Sequence, residues 1–131
     1  MPTGAATILV VEDDADVQEM IVGMLSDLGY RTLVATTGPE ALAMLERESS
    51  VDLLFTDMVM PADMSGTELA RRASRLRPGL KVLLSSGYTR EETQFRPAHT
   101  EFPFVAKPYR PTTLAKKLKE VLSGGIVGQA G

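Results

Sequence analysis

Asp57, Lys107, Ser86 and the pair Glu12-Asp13 are the residues best equipped to handle a phosphoryl group, and each follows a short apolar run. Ile8-Leu9-Val10-Val11 leads into Glu12-Asp13, and Leu53-Leu54-Phe55-Thr56 leads into Asp57. Val82-Leu83-Leu84 leads into Ser85-Ser86, and Phe104-Val105-Ala106 leads into Lys107-Pro108. Apolar runs of this length between helical patterns read as buried parallel strands. Open α/β sheets bind ligands beyond the carboxyl ends of their strands. Three acids, a hydroxyl and an ammonium are therefore expected on one sheet edge.

Three carboxylates in one cleft repel each other, and a bound cation relieves that repulsion while all stay ionised. Mg²⁺ (or Mn²⁺) is the natural occupant, because hard ions take oxygen ligands and share the remainder with phosphate. On this reading Asp13 and Asp57 bind directly, Glu12 acts through water, and a backbone carbonyl completes the protein's share. The Asp57 carboxylate can also be a nucleophile that forms an acyl phosphate. Lys107 then supplies a compact positive charge to the phosphoryl oxygens. Ser86 supplies a hydrogen bond, a role for which Ser85 competes, and Gly87 leaves room. Each residue also has a plainer reading: acids at a helix N-terminus, a turn aspartate, a loop serine, a loop lysine. What favours chemistry is that all four fall at strand ends together.

Such an edge needs a specific set of elements behind it. The pattern predicts strands over 6–11, 31–35, 51–56, 81–85 and 104–106. Helices are expected over 15–28 with Asp14 as N-cap, from an N-cap at Thr37 to about Arg47, over 67–76, and from Pro111 onward. In the first helix Val17, Met20, Ile21, Met24, Leu25 and Leu28 form one stripe, and Met20, Met24 and Met44 read as core filling. Thr37 and Glu40 have capping-box spacing. The stretch 87–103 carries two prolines and little apolar periodicity, so any fourth helix there is short or degenerate, around 90–95. Strands alternating with helices make a flavodoxin-like α/β fold: a five-stranded parallel sheet, order 2-1-3-4-5, helices on both faces. In that order strands one and three are neighbours, which brings Glu12, Asp13 and Asp57 together.

A chain of 131 residues with 44% hydrophobic content suits one domain with one core. Residues 6–122 are expected to form it, with a disordered lead over 1–5 and a flexible tail over 123–131. A net charge of −3 argues against nucleic-acid binding, and no cysteine is present to build a disulfide or thiolate metal site. The N-terminus is not a signal peptide, and no run reaches the roughly 18 apolar residues of a membrane span. A cytoplasmic location is expected. His99 reads as a surface residue, and Arg71, Arg72, Arg75 and Arg77 read as a solvated face.

The blocks ILVVEDD, LLFTDMVMP, VLLSSGY and FVAKPY, in this order and spacing, resemble those of CheY-like response regulator receiver domains. The resemblance extends over residues 6–122. It implies that Asp57 accepts a phosphoryl group from a phosphohistidine on a histidine kinase or histidine phosphotransfer protein. It implies Mg²⁺ held by Glu12, Asp13, Asp57 and the backbone carbonyl of Val59. Ser86 is implied as the switch hydroxyl, Phe104 as the switch aromatic, and Lys107 as the phosphoryl contact, with a cis bond to Pro108. Val59 and Tyr88 flank the site. The loop 61–66 is about one residue longer than the commonest family form and resembles receivers of hybrid histidine kinases or single-domain response regulators.

Other classes fit less well. A phosphatase of the haloacid-dehalogenase type needs a second acid two residues after the nucleophile, where this chain has Val59. A flavodoxin-like cofactor binder needs a phosphate-cradling loop after strand one, where Glu12-Asp13-Asp14-Ala15-Asp16 repels phosphate. The remaining alternative is a receiver fold that acts as a scaffold without phosphorylation. No separate substrate turnover is expected in either case.

Overall fold

Apolar runs become strands and amphipathic runs become helices in the computed structural model of the chain, which describes residues 6–58, 64–86, 102–107 and 109–123, with Ser86 described by its backbone. The elements are β1 (Thr7–Val11), α1 (Ala15–Asp27), β2 (Arg31–Ala35), α2 (Gly38–Arg47), β3 (Leu53–Asp57), α3 (Gly66–Leu76), β4 (Lys81–Ser86), β5 (Phe104–Ala106) and α4 (Pro111–Ser123). The strands form one sheet, ordered β2-β1-β3-β4-β5, and all pairs are parallel. The expected fold class is therefore correct. The expected short helix around 90–95 lies outside the described residues, as do the 1–5 lead, His99 and residues 124–131.

Strand alternation sorts the core into two layers. Leu9, Val11, Leu54, Val82 and Leu84 face Ala41 and Leu45 of α2 and Leu69, Ala70 and Ala73 of α3. Ile8, Val10, Leu53, Phe55, Leu83 and Val105 face Ile21 and Leu25 of α1 and Leu114, Leu118 and Val121 of α4. Burying each such leucine or isoleucine contributes about 1.5–3 kcal/mol, so the sheet is a rigid base for whatever sits on its edge.

The helix ends follow local chemistry. Asp14 Oδ1 accepts from the N–H groups of Asp16 and Val17 at 2.9 and 3.0 Å, which fixes the start of α1. At the other end Gly29 takes φ 96°, and the Tyr30 N–H donates to Leu25 O at 3.0 Å. This left-handed stop makes Leu28 the cap, not the last helical residue. Thr37 caps α2 as expected, its Oγ1 accepting from the Glu40 N–H at 3.2 Å. The Glu40 carboxylate reaches one residue further back than a capping box does, to Thr36 N at 2.8 Å and Thr36 Oγ1 at 3.0 Å. Those bonds hold the Glu40 carboxyl below its usual range.

Three further expectations need correction. Met20 is 53% exposed, not core filling; it lies about 100° round the helix from Ile21, at the margin of the apolar stripe. Strand β3 begins at Leu53, not at residue 51. Asp52 instead accepts from the Thr7 N–H at 2.8 Å, and Val51 O accepts from Arg77 Nη2 at 2.9 Å. Arg77 is likewise not part of a solvated face. Its guanidinium also donates to Glu48 O and Ser49 O, both at 3.1 Å, and more weakly to Leu45 O at 3.5 Å.

Candidate functional site

Parallel pairing of β1 with β3 sets Val11 opposite Thr56, so Glu12 and Asp57 leave adjacent strands at the same level. The Glu12 N–H continues the ladder to Ala35 O at 3.1 Å, and its carbonyl accepts from Gln18 Nε2 at 3.2 Å. Its side chain is buried and accepts from the Asp14 N–H at 3.0 Å. Burial pushes the Glu12 carboxyl up; the Asp57 charge and the neighbouring Asp13 add to this, while the Asp14 N–H and Lys107 oppose it. Asp13 itself is exposed.

Asp57 is half-buried at the end of β3, with Ser85 of β4 as its register partner. Across the edge, Lys107 Nζ stands 3.2 Å from Asp57 Oδ2. Strand β5 delivers this lysine: Ala106 pairs with Ser86, and Lys107 follows at once. Phe104, at the start of β5, is half-buried and packs on the layer beneath α2 and α3. The main chain after Asp57 is tied at two points. The Met58 N–H donates to Ser85 O at 2.8 Å, and Met58 O accepts from the Gly66 N–H at 2.9 Å.

Thus Glu12, Asp57 and Lys107 share one edge, with Asp13 beside them. The Ser86 side chain, Val59, Gly87, Tyr88, the 61–63 part of the long loop and the Lys107-Pro108 bond fall outside the described residues. Among the described residues no three His, Cys, Asp or Glu side chains are already gathered to hold an ion. The donor set nevertheless suits a hard divalent cation: oxygen ligands throughout, with a buried glutamate whose ionisation the next strand's aspartate opposes. Added positive charge would relieve that opposition.

Tyr109 was missed in the sequence reading. Its ring packs against Phe55 at a centroid distance of 6.2 Å and an angle of 60°, beneath the acidic edge. Burial, aided by the charges of Glu12 and Asp57 and opposed by the Ser85 hydroxyl, pushes its phenol up to about 12. The folded chain holds this proton more tightly than the unfolded chain, where the value is about 10. The resulting stability is complete below pH 10 and is lost as pH rises through about 12. The loss should be on the order of 2–3 kcal/mol. Tyr109→Phe should remove that fall, measured by denaturant unfolding of both proteins across the interval.

A groove of about 890 Å³, lined in part by Ala6, Asp52, Arg77, Lys81 and Leu122, opens at the opposite edge of the sheet. Its Arg77 and Asp52 are engaged by backbone groups, and the acidic cluster is far from it.

A doubly wound parallel sheet with an acid-and-lysine cluster beyond its carboxyl ends defines a receiver-type domain. The chain belongs to the response regulator receiver domain family, whose pattern matches residues 8–119. It is 33% identical over 118 residues to the response regulator receiver protein CpdR of Brucella abortus, covering 88% of this chain and 95% of that one. It is 36% identical over 122 residues to the sensor kinase CckA of the same organism, covering 92% of this chain but only 13% of that one. Among solved structures, a CheY-like receiver domain protein from Methanospirillum hungatei is 35% identical with a TM-score of 0.77, covering 91% of this chain and 94% of that one. No helix among the described residues is long and apolar enough to cross a membrane.

Proposed function

We propose that Asp57 accepts a phosphoryl group from a phosphohistidine on a histidine kinase or histidine phosphotransfer protein, and that this switches the protein's interaction surface. The observation that carries the reading is Lys107 Nζ at 3.2 Å from Asp57 Oδ2, at the edge that also holds Glu12. An Asp57 oxygen attacks phosphorus, the phosphorus–nitrogen bond breaks, and its electron pair returns to the imidazole. Lys107 exchanges its carboxylate contact for a phosphoryl oxygen. Glu12, Asp13, Asp57 and the Val59 backbone carbonyl are the residues to hold Mg²⁺ or Mn²⁺. Bound there, such an ion would neutralise charge on the phosphoryl oxygens. Ser86 then hydrogen-bonds the group and Phe104 turns in behind it, a shift between two packings. The protein assists its own phosphorylation and dephosphorylation and turns over no separate substrate. Its partners are proteins, not nucleic acid or membrane, and it works in the cytoplasm.

The test is incubation with acetyl phosphate with and without Mg²⁺, followed by intact mass. One added phosphoryl group is expected with the ion, and none in Asp57→Asn. No gain under any condition would favour the unphosphorylated scaffold. Lys107→Ala should unfold within about 1 kcal/mol of the parent, because a partly exposed ion pair contributes little. It should nevertheless lose most of the phosphorylation-dependent change in backbone hydrogen exchange. A variant that fails to fold would make the lysine structural.

A further inference from the structure

Ser85 is the buried residue, among those described, whose side-chain oxygen has no hydrogen-bond partner. It is only 2% exposed. Leaving a buried hydroxyl unpaired is destabilising, so this group does not serve the resting fold. Its place is informative. In the β3–β4 register Ser85 is the partner of Asp57, and the Met58 N–H donating to Ser85 O pins the two strands at this step. Residues two apart on a strand share a face. Phe55 and Leu83 lie in the layer under α1 and α4, so Asp57 and Ser85 lie on that same face, one step nearer the edge. Tyr109 closes the layer beside them through its contact with Phe55. Its hydroxyl is close enough for Ser85 to hold the phenol's pKa down as a hydrogen-bond partner does, yet the pair falls short of hydrogen-bond geometry and leaves Ser85 Oγ unpaired. In the resting state Asp57 Oδ2 is already engaged by Lys107.

We propose that Ser85 is a hydrogen-bond donor held in reserve for the phosphorylated form of Asp57, where it shortens the lifetime of that form. The proposal rests on Asp57 being the phosphoryl acceptor. In the acyl phosphate one Asp57 oxygen carries phosphorus and the other is a carbonyl oxygen. Hydrolysis adds water to phosphorus and breaks the bond to the Asp57 oxygen. The electron pair stays on the carboxylate, phosphate leaves, and a proton passes to solvent. Negative charge therefore grows on the carboxyl group as the bond breaks, and a donor aimed at its carbonyl oxygen gains strength along the way. This divides the labour of the adjacent serines: Ser86 for the phosphoryl oxygens, Ser85 for the leaving carboxylate. Tyr109, by turning its O–H to Ser85 Oγ, would release the serine proton for that bond.

The experiment loads the full chain and its variants with acetyl phosphate and Mg²⁺, removes the donor by rapid desalting, and follows loss of the added mass. Ser85→Ala should take up one phosphoryl group, resist denaturant at least as well as the parent, and lose the group about tenfold more slowly. Ser85→Thr should return the rate to within about twofold of the parent, and Ser85→Cys, a weak donor, should fall between. A merely structural serine would alter unfolding and leave the rate alone. Loss from Ser85→Ala at the parental rate, or loss from Ser85→Thr as slow as from Ser85→Ala, overturns the proposal and leaves Asp57 as acceptor intact. A parent chain that takes up no phosphoryl group overturns both.

Discussion

Gly66→Ala should destabilise the protein by about 3 kcal/mol or more and abolish phosphorylation of Asp57 in whatever folded fraction remains. Gly66 opens α3 and is buried. A Cβ placed there would overlap the Asp57 carbonyl oxygen and come within 2.7 Å of its carbonyl carbon and 3.0 Å of Met58 Cα. These are backbone atoms, so no rotamer change can relieve the overlap. Moving them would strain the bond from Gly66 N–H to Met58 O and the one from Met58 N–H to Ser85 O, and with them the direction in which Asp57 leaves β3. Gly23→Ala is the control. It has nothing within 4 Å of its added Cβ and sits in the interior of α1, where alanine should gain roughly 0.5–1 kcal/mol. Guanidinium unfolding and acetyl-phosphate labelling of both variants check the contrast; a Gly66→Ala protein with parental stability and labelling would show that the approach is not a constraint.

Arg77→Ala should lower stability by about 2–4 kcal/mol without touching the acidic edge. One guanidinium donates to the carbonyls of Glu48, Ser49 and Val51, and weakly to Leu45. It thereby caps the negative end of α2 and holds the entry to β3. Truncation leaves several half-buried carbonyls short of a donor. Lysine should not substitute well, because a point ammonium cannot span acceptors that a planar fork meets together. Arg77→Lys is expected to lose more than half as much stability as Arg77→Ala. Labelling at Asp57 should persist in both, measured below their unfolding midpoints.

The contrast between Arg77 and Lys107 shows what a single chain reveals before it folds. Lys107 was legible because it follows an apolar run, and parallel strands carry such residues to one edge whatever lies between. Its ion pair with Asp57 spans 50 residues of sequence, yet needed only the strand order. Arg77 looked like its neighbours in an arginine-rich stretch, because the carbonyls that claim it are supplied by the distant end of α2. The helix starts at Asp14 and Thr37 could be read from side chains that reach no more than three residues ahead; Ser65 caps α3 in the same way and starts it at Gly66, one residue before the expected start at 67. Met20 misled because periodicity shows which way a stripe runs, while its width depends on the neighbours it meets. Ser85 and Ser86 could not be separated by spacing alone; the strand register identifies Ser85 as the partner of Asp57. Gly66 gave no signal, since its partner is a main-chain oxygen that every residue possesses.

Ala6 and Leu122 border the same groove, and the geometry behind this is simple. Every strand points one way, so a chain that enters through a strand and leaves through a returning helix has both its doorways at a single pole. The carboxylates of Glu12 and Asp57 occupy the other pole. Additional polypeptide grafted at either doorway would trail away from that acidic edge. A unit plumbed in this way can be built into a far larger assembly without redesign of its working end.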